Sequence, residues 1–140
     1  MNIIFEGREY FVNPAGLGGD EQRLVAEVSL KVLEGAKRRR KYALSRCTFF
    51  ADPGYEALLE ATGPHRSPHI EGDDANCFDQ HYWVAFDLAG RNLIIDPIFN
   101  YIGLEEHAQA DNKSYYARKR TVKPNTAVWE GGVRINTMGI

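Results

Sequence analysis

Two β-rich runs, Tyr82-Trp83-Val84-Ala85-Phe86 and Asn92-Leu93-Ile94-Ile95, flank Leu88-Ala89-Gly90-Arg91, and this pattern constrains the fold more than any other stretch of the chain. Such runs split by a short glycine-bearing segment form a hairpin, because glycine accepts the positive φ of tight turns. A two-residue loop at Ala89-Gly90, or a four-residue loop from Leu88 to Arg91, sets Trp83 opposite Asp96. In that register Tyr82, Val84, Phe86, Leu93 and Ile95 share one uniformly apolar face, and His81, Trp83, Ala85, Ile94 and Asp96 share the other. A loop of odd length would separate His81 from Asp96.

The rest of the chain supplies elements for that hairpin to pack against. Residues 3–12 alternate around Glu6-Gly7 and predict a first hairpin. Asn13 to Gly19 reads as a loop, with Asp20 as the N-cap of a long helix whose core face carries Leu24, Val25, Val28, Val32, Leu33 and Ala36. The basic run Lys37-Arg38-Arg39-Arg40-Lys41 suits the negative end of that helix, and no stacking aromatics accompany it. Asp52-Pro53 predicts the start of a short helix through Tyr55, Leu58, Leu59 and Ala61 that Gly63 stops. Pro64 to Cys77 is expected to be an irregular connection. Further on, Glu105 to Ala110 predicts a helical turn, Tyr115 to Val122 a strand, and Ala127 to Ile135 a Gly-Gly hairpin. With 140 residues, 44% of them hydrophobic, a chain of this kind can bury about two-thirds of its unfolded surface in one core. The expectation is a single α+β domain spanning 1–140, with N-terminal helices packed on a mostly antiparallel sheet.

His81 and Asp96 carry the chemistry. As diagonal cross-strand neighbours their side chains start roughly 7 Å apart, within reach of each other. A carboxylate that holds one ring nitrogen fixes the tautomer and leaves the other nitrogen to take a proton from a nucleophile. Cys47 is the candidate nucleophile: it follows the long helix after a short break, and Ser45 could cap a new turn that puts the thiol at a helix N-terminus, where thiol pKa falls. The order Cys47, a helix ending in Gly63, His81-Tyr82-Trp83-Val84 and Asp96-Pro97 resembles the transglutaminase-like branch of the papain-like cysteine enzymes over about residues 20 to 100. Three positions depart from the family pattern: Ser45 where glycine is usual, Pro53-Gly54 within the helix, and Ile98 where threonine is common. The resemblance implies a papain-like or transglutaminase-like core and acyl transfer, with Cys47 attacking a carbonyl, His81 as base then acid, Asp96 orienting it, and Trp83 beside the substrate. The oxyanion would meet the Cys47 backbone N–H and a second donor, for which Gln80 and Tyr42 are candidates.

Two other classes are compatible with the residues. His65, His69, Cys77 and His81, with Asp79 nearby, are ligand types that zinc accepts, although their spacing matches no familiar finger. A non-catalytic protein-binding module could instead present Tyr115, Tyr116 and Trp129. The enzyme reading needs no cofactor and no metal, and its partner is a protein or peptide substrate. A net charge of −2 argues against nucleic acid, no apolar run approaches the roughly 18 residues of a membrane span, and no Sec-type signal is present. A cytoplasmic enzyme is therefore expected, with specialised export as an effector or toxin also compatible.

Overall fold

The structure is a computed structural model that describes residues 1–40, 47–73, 81–111, 113–124, 127–130 and 133–136. It is an α+β fold built on a five-stranded antiparallel sheet. The chain opens with β1 (Asn2–Phe5) and β2 (Arg8–Phe11), paired with Phe5 opposite Arg8. Their turn puts Glu6 and Gly7 at φ of 51° and 75°, the left-handed pair that matches strand twist in a two-residue hairpin.

The long helix α1 spans Gly19–Arg40. Its cap differs from the expectation at Asp20. The Glu21 carboxylate reaches back to accept the Gly18 backbone N–H at 3.0 Å, which makes Gly18 the capping position and leaves Asp20 in the first turn, facing the positive end of the helix. Val25, Val28, Val32, Leu33 and Ala36 are buried as the spacing predicts, and Leu24 packs at their margin. Of the basic tail, Lys37 pairs with Glu6, and Arg39 reaches Glu56 and Glu60 of the next helix.

That next helix, α2, runs unbroken over Cys47–Thr62 with Pro53 in its interior. The expected start at Asp52-Pro53 is therefore overturned. A proline inside a helix forfeits one hydrogen bond and crowds the carbonyl four residues back. Here core burial on both sides of it, by Phe50 and Ala51 before and Leu58 after, holds the helix together. Gly63, at φ 75° with its N–H on the Leu59 carbonyl at 2.8 Å, ends α2 as expected.

The segment after Gly63 is not the irregular connection expected from its composition. A 3-10 turn at Pro64–Arg66 leads into β3 (His69–Asp73), which lies inside the sheet between β4 and β7. Then come β4 (Tyr82–Leu88), β5 (Arg91–Asp96), β6 (Tyr101–Leu104), helices α3 (Glu105–Asp111) and α4 (Lys113–Tyr116), and β7 (Lys119–Val122). Tyr115 and Tyr116, expected in a strand, end α4 instead, and only Lys119–Val122 is extended. The strand order is β6-β5-β4-β3-β7, and a separate pair, β8 (Ala127–Glu130) with β9 (Val133–Asn136), follows.

Both faces of the sheet are covered. Tyr82, Val84, Phe86, Leu93 and Ile95 join residues of α1, α2 and β2 in the main core. On the other face Trp83, Ala85 and Ile94 pack with Ala108 of α3 and Tyr116 of α4, flanked by Phe99 and Tyr101. Among the described residues no helix is long and apolar enough to cross a membrane.

Candidate functional site

Geometry at the site begins with the β4–β5 turn. Ala89 and Gly90 adopt φ of 52° and 79°, and Leu88 pairs with Arg91 and Val84 with Ile95. The two-residue loop is thus the one used, and it puts His81 and Asp96 on the same face. Their side chains meet: His81 Nε2 lies 2.6 Å from Asp96 Oδ2, with His81 4% exposed and Asp96 fully buried.

The sequence Asp96-Pro97 explains how the carboxylate is held. Asp96 closes β5, and Pro97 cannot extend the ladder, so the chain turns. Asp96 Oδ1 then accepts the backbone N–H groups of Ile98 and Phe99 at 3.1 and 3.2 Å. This is the side-chain-to-backbone turn that aspartate favours, and it uses amides, so isoleucine serves at position 98 as well as any other residue. Oδ2 accepts from His81 and from the Tyr116 hydroxyl. Burial, and then the charge of Asp96, push the Tyr116 phenol well above its ordinary pKa, so it stays a donor. With a hydrogen on Nε2 directed at Asp96, the neutral His81 ring carries its basic lone pair on Nδ1.

Aromatic rings fix the imidazole plane. Phe99 stacks on it with centroids 4.1 Å apart, Trp83 is tilted against it at 5.4 Å, and Tyr115 meets it edge-on at 5.6 Å. Trp83 has no exposed surface, and its indole N–H donates to Glu71 Oε1 at 2.8 Å. A side chain so enclosed has no face to offer a substrate, so Trp83 is a wall of the histidine and not the substrate contact expected of it.

Behind that wall lies a second polar cluster that the sequence reading missed. Glu71, almost fully buried on β3, also accepts from Lys119 at 2.7 Å, from Asn92 and from His69. Lys119 and Asn92 in turn reach Glu105. Burial alone would raise the Glu71 pKa, but the bonds from His69, Lys119 and Trp83 outweigh it and leave the value lowered. Burial likewise opposes the charge on His69, yet its bonds to Glu71 and the Ser67 carbonyl leave its pKa raised. Tyr116, Phe99, Tyr115 and Glu71 are the site neighbours that patterning did not find. The pair Tyr115-Tyr116 was visible as aromatic, but as a recognition surface; Tyr116 is instead completely buried, which corrects that expectation. Trp129 falls in β8, and its side chain lies outside the described residues.

Cys47 belongs to α2 (Cys47–Thr62); its side chain lies outside the described residues, as do Tyr42, Ser45, Cys77, Asp79 and Gln80. Topology locates the start of α2. A short connection links α2 to β3, so the two run in opposite senses, and β3 is antiparallel to β4 with His69 opposite Ala85. The first turn of α2 therefore falls toward the end of the sheet where β4 begins, but on the Tyr82, Val84 and Phe86 face, whereas His81 and Asp96 lie on the opposite face with Trp83.

The zinc alternative fares differently. His69 has both ring nitrogens in hydrogen bonds within the protein. It lies opposite Ala85, four positions along β4 from His81, or roughly 13 Å. His65 sits in the 3-10 turn beyond it. The described histidines do not converge, and among the described residues no group of three or more metal-ligating side chains is assembled. Comparison with protein-family models, with curated proteins and with solved structures finds no match to this chain.

Proposed function

We propose that this protein is a cysteine-dependent acyl-transfer enzyme of the transglutaminase-like or papain-like kind, with Cys47 as nucleophile, His81 as base and acid, and Asp96 as orienter. The observation that carries the reading is the buried His81–Asp96 hydrogen bond at 2.6 Å, in which the carboxylate is pinned by two backbone amides. A buried imidazole–carboxylate pair at a strand end supplies the base and the orienter that nucleophilic catalysis requires, and Cys47 of α2 is the proposed nucleophile.

The chemistry follows from the tautomer. His81 Nδ1 takes the Cys47 proton, and the thiolate adds to the carbonyl carbon of an amide or ester. The carbon–nitrogen or carbon–oxygen bond breaks as the imidazolium returns its proton to the leaving group. A thioester to Cys47 remains. Water or an amine, deprotonated by His81, then attacks that thioester and releases the thiolate, giving hydrolysis, deamidation or transamidation. Asp96 stabilises the imidazolium between these steps and keeps the ring in place. The substrate class is a protein or peptide carbonyl, no cofactor or metal takes part, and the cytoplasm, where thiols stay reduced, is the proposed compartment.

The test is thiol reactivity. With a limiting dose of iodoacetamide at mildly acidic pH, peptide mapping should find the label on Cys47 before Cys77. His81→Ala should slow Cys47 by about tenfold or more, since each pKa unit regained by a thiol costs a tenfold loss of thiolate below that pKa. Equal labelling of the two cysteines, or a Cys47 rate indifferent to His81, would leave a protein-binding module on the same scaffold as the better reading.

A further inference from the structure

Asp96 Oδ2 serves two donors at once, and that sharing carries an inference beyond the triad. We infer that Tyr116 is a positioning residue that tunes the proton affinity of His81 by taking part of the carboxylate charge that the imidazolium would otherwise hold alone. The inference rests on the reading of His81 as the base for Cys47.

The other carboxylate oxygen is occupied by the Ile98 and Phe99 amides, so Oδ2 is where His81 and Tyr116 meet. Tyr116 is fully buried, edge-on to Trp83 at 5.0 Å and tilted to Tyr101 at 5.8 Å. Its hydroxyl is thereby aimed at Asp96 by packing. An ionised acceptor bonded to two donors gives each of them less than it would give one alone. Losing the phenol would therefore strengthen the bond to the imidazolium and raise the pH at which His81 releases its proton. A ring that must both take and return a proton works best with its pKa near the working pH, and sharing the carboxylate holds that pKa lower than an unshared carboxylate would.

Other groups around His81 stay constant in this comparison. Asp73 ends β3, its N–H on the His81 carbonyl at 3.0 Å and its carboxylate 3.4 Å from Arg118. Tyr115 comes from α4, Glu71 stands behind Trp83 on β3, and the Tyr101 hydroxyl of β6 donates to the Leu104 carbonyl.

The measurement is the His81 titration by NMR of ring-labelled histidine in the full chain, with Cys47→Ala to remove the thiolate. Adding Tyr116→Phe should raise the His81 pKa by about half a unit or more, and adding Asp96→Asn should lower it. An unmoved or lowered value in Tyr116→Phe overturns the inference. A second readout leaves Tyr116 in place: its hydroxyl proton resonance should shift with the same midpoint as the His81 ring, and an independent midpoint also overturns it. Failure of the parent reading looks different. Cys47 alkylation indifferent to His81→Ala sinks the enzyme but leaves a Tyr116-dependent His81 titration standing.

Discussion

At the residue scale, one face of the sheet concentrates buried charge, and pH will reveal it. The His69 pKa is raised above its ordinary 6.5, so its contribution to stability is complete below that value and lost as pH rises through the folded-state pKa. Glu71 is depressed below its ordinary 4.5, so its contribution is present above that value and lost as pH falls through the folded-state pKa. The two overlap between 4.5 and 6.5, with Lys119 charged throughout. The urea midpoint should therefore be highest inside that window, and His69→Gln should flatten the decline on its alkaline side while leaving the acid side. An unchanged alkaline slope in His69→Gln would mean that the His69–Glu71 bond contributes nothing to the folded state. Much of this chemistry was open to reading: His81 and Asp96 could be paired because the register follows from a turn only two residues long. Glu71 could not, since its partners come from β4, β5 and β7, far apart in sequence.

At the scale of elements, the contact between α1 and α2 turns on Gly35. A Cβ built there would stand 2.6 Å from the Cβ of Ala57, so the helices approach as closely as backbone allows. Gly35→Leu should force them apart at a cost of about 1–3 kcal/mol, read as a lower urea midpoint with an unchanged slope. An unaltered midpoint would show that the helices can separate without loss. The same packing accounts for Pro53: α2 passes through a residue that usually breaks helices because its buried neighbours are held by the sheet. Local signals named the break; burial overrode it. Strand β3 was hidden for a related reason, since Glu71 and Asp73 are poor strand formers until partners satisfy them.

Over the whole molecule, the sheet is covered on both sides, and Ile94 and Ile95 point to opposite faces with neither exposed. Ile95 contributes to the core under α1 and α2, and Ile94 to the smaller cluster under α3 and α4. Truncating either to alanine should destabilise the protein by about 2–5 kcal/mol. A much smaller loss for Ile94→Ala, measured by the same urea titration, would mean that the α3–α4 layer covers the site only loosely. That layer also carries Tyr115 and Tyr116, so its firmness decides how well His81 is held.

The sequence by itself determined what depends on near neighbours. Periodicity specifies the buried stripe of α1, paired left-handed turns specify both hairpins, and the register of the second specifies that His81 and Asp96 share a face. Tertiary structure alone decided what depends on distant partners. It kept α2 continuous through Pro53, turned His69–Asp73 into an interior strand, and folded Tyr116 back onto Asp96. In each case a locally unfavourable choice, a missing helical bond or a buried polar group, is compensated by contacts from elsewhere in the chain. Residue patterns report local preference, and only the assembled core sets the energy against which that preference is weighed.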